Sequence, residues 1–159
     1  MKKRWRKSIV MGAAYLLLPA MLYAWEGKVV NVPEGDRLVV LNNGRPETVP
    51  LANVDCPEIG QPWSEAAKKF SHAMVFGKTV KIWPAGRDAN GNAAFFVFDK
   101  EKNLNKELVA AGLAWHTKAG ARDPGFVALE AKARAKKRGL WQDPNPVPPW
   151  EYRRGRSAF

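Results

Sequence analysis

Asp55 and Glu58 flank Cys56 and Pro57 in the stretch PLANVDCPE, residues 50–58. Two carboxylates this close suit a hard divalent cation with a base beside it. One acid lends oxygens to the metal and the other takes a proton from water. A plainer role is also open, as solvated or capping acids just ahead of a helix, where negative charge is favourable. Cys56, between them, is the single cysteine of the chain. A cysteine nucleophile needs a base, and the two histidines, His72 and His116, are both remote in sequence. Cys56 therefore reads as a small, mostly buried residue. The stretch opens on Pro50, where a site handling an anion would want a cation.

The surrounding pattern predicts the elements that must hold these residues. WEGKVVNV (25–32) and DRLVVLNN (36–43) are Val-rich strands with a turn between them. NNGRPE (42–47) carries the Asn-Gly hairpin signal, and TVPLANV (48–54) is a third strand running into the acidic segment. Proline cannot donate to a ladder, so Pro50 marks an edge, a bulge or a strand end. Residues 64–77 read as a helix with Ser64 as N-cap, Gly77 as stop, and Ala66, Ala67, Phe70, Ala73 and Met74 on one face. KTVKIWP (78–84) and NAAFFVFD (92–99) are strands joined by AGRDANG. Asp88, Asn90 and Asn92 alternate as in a calcium loop, but Ala93 and Asp99 stand where such a loop needs glycine and glutamate. A turn is the better reading. A short helix over 103–112 and a longer one over 124–139 follow, the second with Phe126, Leu129, Ala131 and Ala133 inward. The proline-rich end reads as irregular, laid on the domain by Trp141 and Trp150. Three strands, a helix, two strands and two helices suit a mainly β fold with α, a five-stranded Greek-key barrel of the OB type with three helices.

The chain opens with a basic segment, MKKRWRK, then an apolar run ending in the small residue Ala24. That order predicts a secretory signal peptide over 1–24, since the run is short for a membrane span and is broken by Pro19. Residues 25–142 form the predicted domain and 143–159 a proline-rich, basic tail. The product is expected to be exported, periplasmic or secreted, with no stable membrane span in the mature chain and no internal disulfide. The formal charge is +11; without the leader's five basic residues, 21 basic residues face 15 acidic ones. A basic domain favours polyanionic partners, although basic charge also serves solubility alone. Aromatics such as Trp25, Trp63, Trp83, Trp115, Trp141 and Trp150 could stack bases, but packing accounts for most of them.

With these landmarks the chain resembles the staphylococcal nuclease family. The resemblance is carried by EGDRLVV, VDCPE, RDANGNAAFFVF, LNKELVAAGLAW and LEAKARAKKRGLW followed by PPWEYRR, in that order over about residues 26–154. It implies an OB-type barrel, a nucleic-acid phosphodiester substrate and a calcium ion. By position, it implies that Asp36, Asp55 and the main-chain carbonyl of Cys56 hold the metal and that Glu58 is the general base. The two arginines that the family sets on the phosphate fall on Pro50 and Asn92. Arginine suits that role because its planar fork matches two phosphate oxygens, and losing one such donor typically costs about 10²–10³ in rate.

The acidic half of a phosphodiesterase is thus present and its cationic half is replaced. The sequence favours an exported domain that binds nucleic acid or another polyanion, with weak or no cleavage. One alternative is an active calcium-dependent nuclease with a relocated arginine, for which Arg37, Arg45 and Arg87 are the candidates. The other is a structural or partner-binding envelope domain. The oligomeric state is open.

Overall fold

The computed structural model describes residues 23–88 and 91–156. The predicted leader lies outside the described residues apart from Tyr23 and Ala24. Among the described residues no helix is long and apolar enough to cross a membrane.

The first three strands are β1 (Trp25–Glu34), β2 (Arg37–Asn42) and β3 (Arg45–Pro50). A short β4 (Val54–Asp55) and helix α1 (Ser64–Val75) follow, then β5 (Thr79–Arg87), β6 (Ala93–Asp99) and a brief β7 (Lys102–Asn103). Helix α2 (Leu104–Ala110), β8 (Trp115–His116), α3 (Pro124–Ala135) and α4 (Pro149–Arg156) complete the chain. Alternation along the strands sends Val29, Leu38, Val40, Val49, Val80, Ile82 and Val97 inward, each almost fully buried. Phe126 of α3 and Leu104 and Leu108 of α2 complete this core.

The long strands form one antiparallel sheet in the order β3-β2-β1-β5-β6-β7. It closes where Leu51, just past β3, bridges Phe95 of β6, and where the Ala52 amide donates to the Phe95 carbonyl at 2.7 Å. Asn105, fully buried on α2, secures this seam. Its amide nitrogen donates to the carbonyls of Ala52 (2.8 Å) and Phe95 (3.0 Å), and its oxygen accepts from the Val97 amide (3.1 Å). The result is the expected mixed fold with an OB-type barrel.

Several local expectations change. The third strand does not run through to Val54: it ends at Pro50, and Val54–Asp55 pairs instead with Trp115–His116 of β8. A proline at the strand end removes a ladder donor and lets the chain turn. Trp63, at φ 71°, caps α1, and Ser64 is its first helical residue. Ser71 and Val75 take the inner face with Ala67, while Ala73 is exposed. On α3 the buried position is Glu130 rather than Ala131, which is exposed. Glu130 is satisfied there by the His116 amide at 2.8 Å and by the Arg134 guanidinium, at 2.6 Å from its nearer nitrogen.

The larger correction is α4, a fourth helix where the sequence suggested an irregular tail. Pro149 opens it, because proline's fixed φ favours a first helical position and its missing N–H is not needed there. Its base rests on a second, smaller cluster of Trp115, Ala133, Leu140 and Trp141, with Trp63 and Trp150 packed against it. Trp115 meets Trp141 and Trp150 edge to face, with ring centroids 4.4 and 5.7 Å apart.

Candidate functional site

Asp36 sits in the tight turn between β1 and β2, after Gly35. This turn is pressed against α1. The Ser71 hydroxyl donates to the Gly35 carbonyl at 2.5 Å, and a Cβ on Gly35 would come within 2.7 Å of Ala67 Cβ and 2.9 Å of Cys56 Sγ. Only glycine allows that approach. The Asp36 carboxylate accepts the Cys56 amide at 2.7 Å, so the first acid is tied directly to the segment carrying the second. Burial pushes the Asp36 carboxyl up to about 7; the Cys56 amide pulls the other way, and the charges of Asp55 and Glu34 add to the rise. Glu34 thus acts on the acidic cluster, a role that its place in the turn between the first two predicted strands did not reveal.

Asp55 is held by the pairing of β4 with β8. Burial raises its pKa as well; the Arg153 guanidinium opposes this and does not fully offset it. Cys56 is buried, and burial next to Asp36 and Asp55 pushes its thiol pKa far up. Its side chain is neither a thiolate nor accessible for pairing two chains. Glu58 is partly exposed, and its amide donates to Gln61 Oε1 at 3.0 Å. Gln61, buried, donates in turn to the Val147 carbonyl at 2.5 Å, clamping the acidic loop to the C-terminal segment.

Among the described ion pairs, the cation that meets Asp55 and Glu58 is Arg153 of α4. Its two terminal nitrogens engage both oxygens of Asp55, at 3.2 and 2.9 Å, and one of them also donates to Glu58. The pairing holds the guanidinium firmly charged, first through its bond to Asp55. Arg153 lies 95 residues from Glu58 in sequence, and the only signal for it was the matched PPWEYRR ending.

Of the three arginines proposed from sequence, Arg37 touches the cluster at Glu34, and Arg45 and Arg87 lie elsewhere. Arg37 faces Pro50 across the β2–β3 ladder, but its guanidinium pairs with Glu34 at 3.4 Å. Arg45 pairs with Asn42 at the opposite end of that ladder. Arg87 donates to the Gly91 carbonyl at the β5–β6 turn. Asn92 closes the same turn, its amide donating to Asp88 Oδ1 at 2.8 Å. His116 serves structure, with its Nδ1 2.5 Å from buried Glu130.

The donors fit a calcium ion in kind: Asp36 and Asp55 offer hard carboxylate oxygens in a shared acidic environment. They are few in number, since no three His, Cys, Asp or Glu side chains among the described residues are grouped to hold a metal. Main-chain oxygen and water would have to complete the shell.

A closed antiparallel barrel with an acidic cluster at the β1–β2 turn and β4 defines a nuclease-like OB protein. Residues 48–143 match the model of the staphylococcal nuclease homologue family, and the chain belongs to that family, whose members are generally calcium-dependent. An uncharacterized endonuclease of Escherichia coli O157:H7 is 33% identical over 87% of this chain and 96% of its own length. A micrococcal nuclease of Shigella flexneri is 30% identical over 89% and 90%. Protein ParB of Escherichia coli is 33% identical over 97% and 95%.

Proposed function

We propose that this protein is an exported nuclease that hydrolyses phosphodiester bonds of DNA or RNA with the help of a divalent cation, calcium by family likeness. The observation that carries the reading is the linkage of Asp36, in the β1–β2 turn, to the β4 segment that carries Asp55 and Glu58, with a guanidinium in contact with the latter two. The names borne by the relatives support it.

In this reading Asp36, Asp55 and the Cys56 carbonyl would hold the ion, which would supply charge neutralisation and a lower pKa for nearby water. Asp36 is oriented for this by its bond from the Cys56 amide. Glu58, on the solvent side and fixed through Gln61, accepts the proton of the attacking water. The basic surface draws in the polyanion. Export rests on the leader alone, and mass spectrometry of the secreted product would find 135 residues if cleavage follows Ala24.

The test is a nuclease assay of residues 25–159 on single-stranded DNA and RNA, with calcium or with a chelator. Cleavage should require the cation, and Glu58→Gln should lower it about 10²-fold or more. Binding without cleavage at high protein concentration would instead establish the second reading, a polyanion-binding domain with a degenerate site. Pro50 and Asn92 at the two arginine positions favour that reading. Neither binding nor cleavage would leave a structural or partner-binding domain.

A further inference from the structure

We propose that Arg153 of α4 is the phosphate-binding arginine of this site, supplied from outside the barrel in place of the two that Pro50 and Asn92 do not provide. The inference rests on the nuclease reading above. Among the described ion pairs, those of Arg153 are the ones that reach Asp55 and Glu58.

Its place is built rather than incidental. Trp150 packs on Trp115, and the Gln61–Val147 bond ties the Glu58 loop to the segment leading into α4. The Tyr152 hydroxyl lies 3.5 Å from where a Cβ on Gly60 would stand. These contacts seat α4 on β8, tie the segment before it to the Glu58 loop and set Tyr152 beside that loop, which keeps the guanidinium next to the carboxylates.

Electrostatics gives the guanidinium a task. Glu34, Asp36, Asp55 and Glu58 act on one another, and a phosphodiester approaching four acids is repelled. A cation already seated among them lowers that barrier. Without substrate, the two oxygens of Asp55 occupy the guanidinium fork as two phosphate oxygens would. The side chain is about half exposed, so a phosphate can reach it from solvent. A phosphate bound there stands beside Glu58, which places the proton acceptor next to the atom to be attacked.

The experiment compares wild-type protein, Arg153→Ala, Arg153→Lys and Arg45→Ala. Binding of a fluorescent single-stranded oligonucleotide is measured in calcium across salt concentrations, with Glu58→Gln in every background to slow cleavage below the time of the measurement. Cleavage is measured separately with Glu58 intact. Arg153→Ala should weaken binding about tenfold or more and lower cleavage about 10²–10³-fold. It should also reduce the slope of log K against log salt by about 0.7, the loss of one phosphate contact to a single strand. Arg153→Lys should recover the salt slope but little of the rate, because lysine keeps the charge and loses the fork. Arg45→Ala, the same charge removed from the far end of the hairpin, should change each readout far less. Unchanged binding, slope and cleavage in a folded Arg153→Ala protein would overturn the proposal and leave the nuclease reading standing. A gain in cleavage would also overturn it, making Arg153 a plug over the acids. A wild-type protein that neither binds nor cleaves would remove both readings together.

Discussion

Burial around the β1–β2 turn holds the Asp36 carboxyl near pKa 7 in the folded chain, against 3.8 for an ordinary aspartate. A group that keeps its proton more tightly when folded stabilises the fold fully below the unfolded value. That contribution is lost as pH rises from 3.8 toward about 7. With a chelator present, the Tm should therefore fall by several degrees between about pH 5 and pH 8. Asp36→Asn should flatten most of this fall and melt above wild type at the higher pH. Calorimetry across that range decides it, and a wild-type Tm that does not fall would contradict the role of burial. At this scale spacing within one short motif exposed Asp55 and Glu58, and the family resemblance of a second motif pointed to Asp36. The sequence did not expose Glu34 or Arg153, whose part in the cluster is set by folding across distant positions.

Among the elements, the strands were legible because alternating Val, Leu and Ile report a sheet with one wet face. Less legible was how the sheet closes. Asn105 reads as an ordinary polar residue of a short helix, yet it bonds three backbone groups at the seam between β6 and the segment after β3. Asn105→Ala should strip the Ala52 carbonyl and the Val97 amide of their bonds to it, leaving the Phe95 carbonyl its bond from the Ala52 amide, and cost about 2–4 kcal/mol in a urea melt. A cost below about 0.5 kcal/mol would mean that the seam re-forms without it. Helix α4 was hidden for another reason. It is eight residues long, too short for a helical period to show, and its two leading prolines look like loop residues until the first turn is seen to begin on one of them.

Over the whole molecule, the tryptophan cluster decides whether α4 stays at the site. Trp150→Ala should release α4 while the barrel, whose buried core residues Trp150 does not touch, stays folded. The expected result is oligonucleotide binding weakened in the same direction as in Arg153→Ala, with near-native far-ultraviolet circular dichroism. Wild-type affinity in that variant would show that α4 holds its place without Trp150. The net charge works on this scale too: it draws a polyanion toward the domain at long range, and chooses no site on it.

The sequence by itself determined the barrel class, the two helices after β6, and the motif segments that carry three acids. The barrel class and the helices follow from element order and local periodicity, which short-range sterics and burial enforce residue by residue, and the acids from the family resemblance of their motifs. Tertiary structure alone decided which acids share one field, that Arg37, Arg45 and Arg87 pair away from Asp55 and Glu58, and that Arg153 is the cation in contact with both. The last of these depends on contacts between segments nearly a hundred residues apart. The strength of a charge interaction is set by distance and burial in the folded chain, and neither is written in the order of residues.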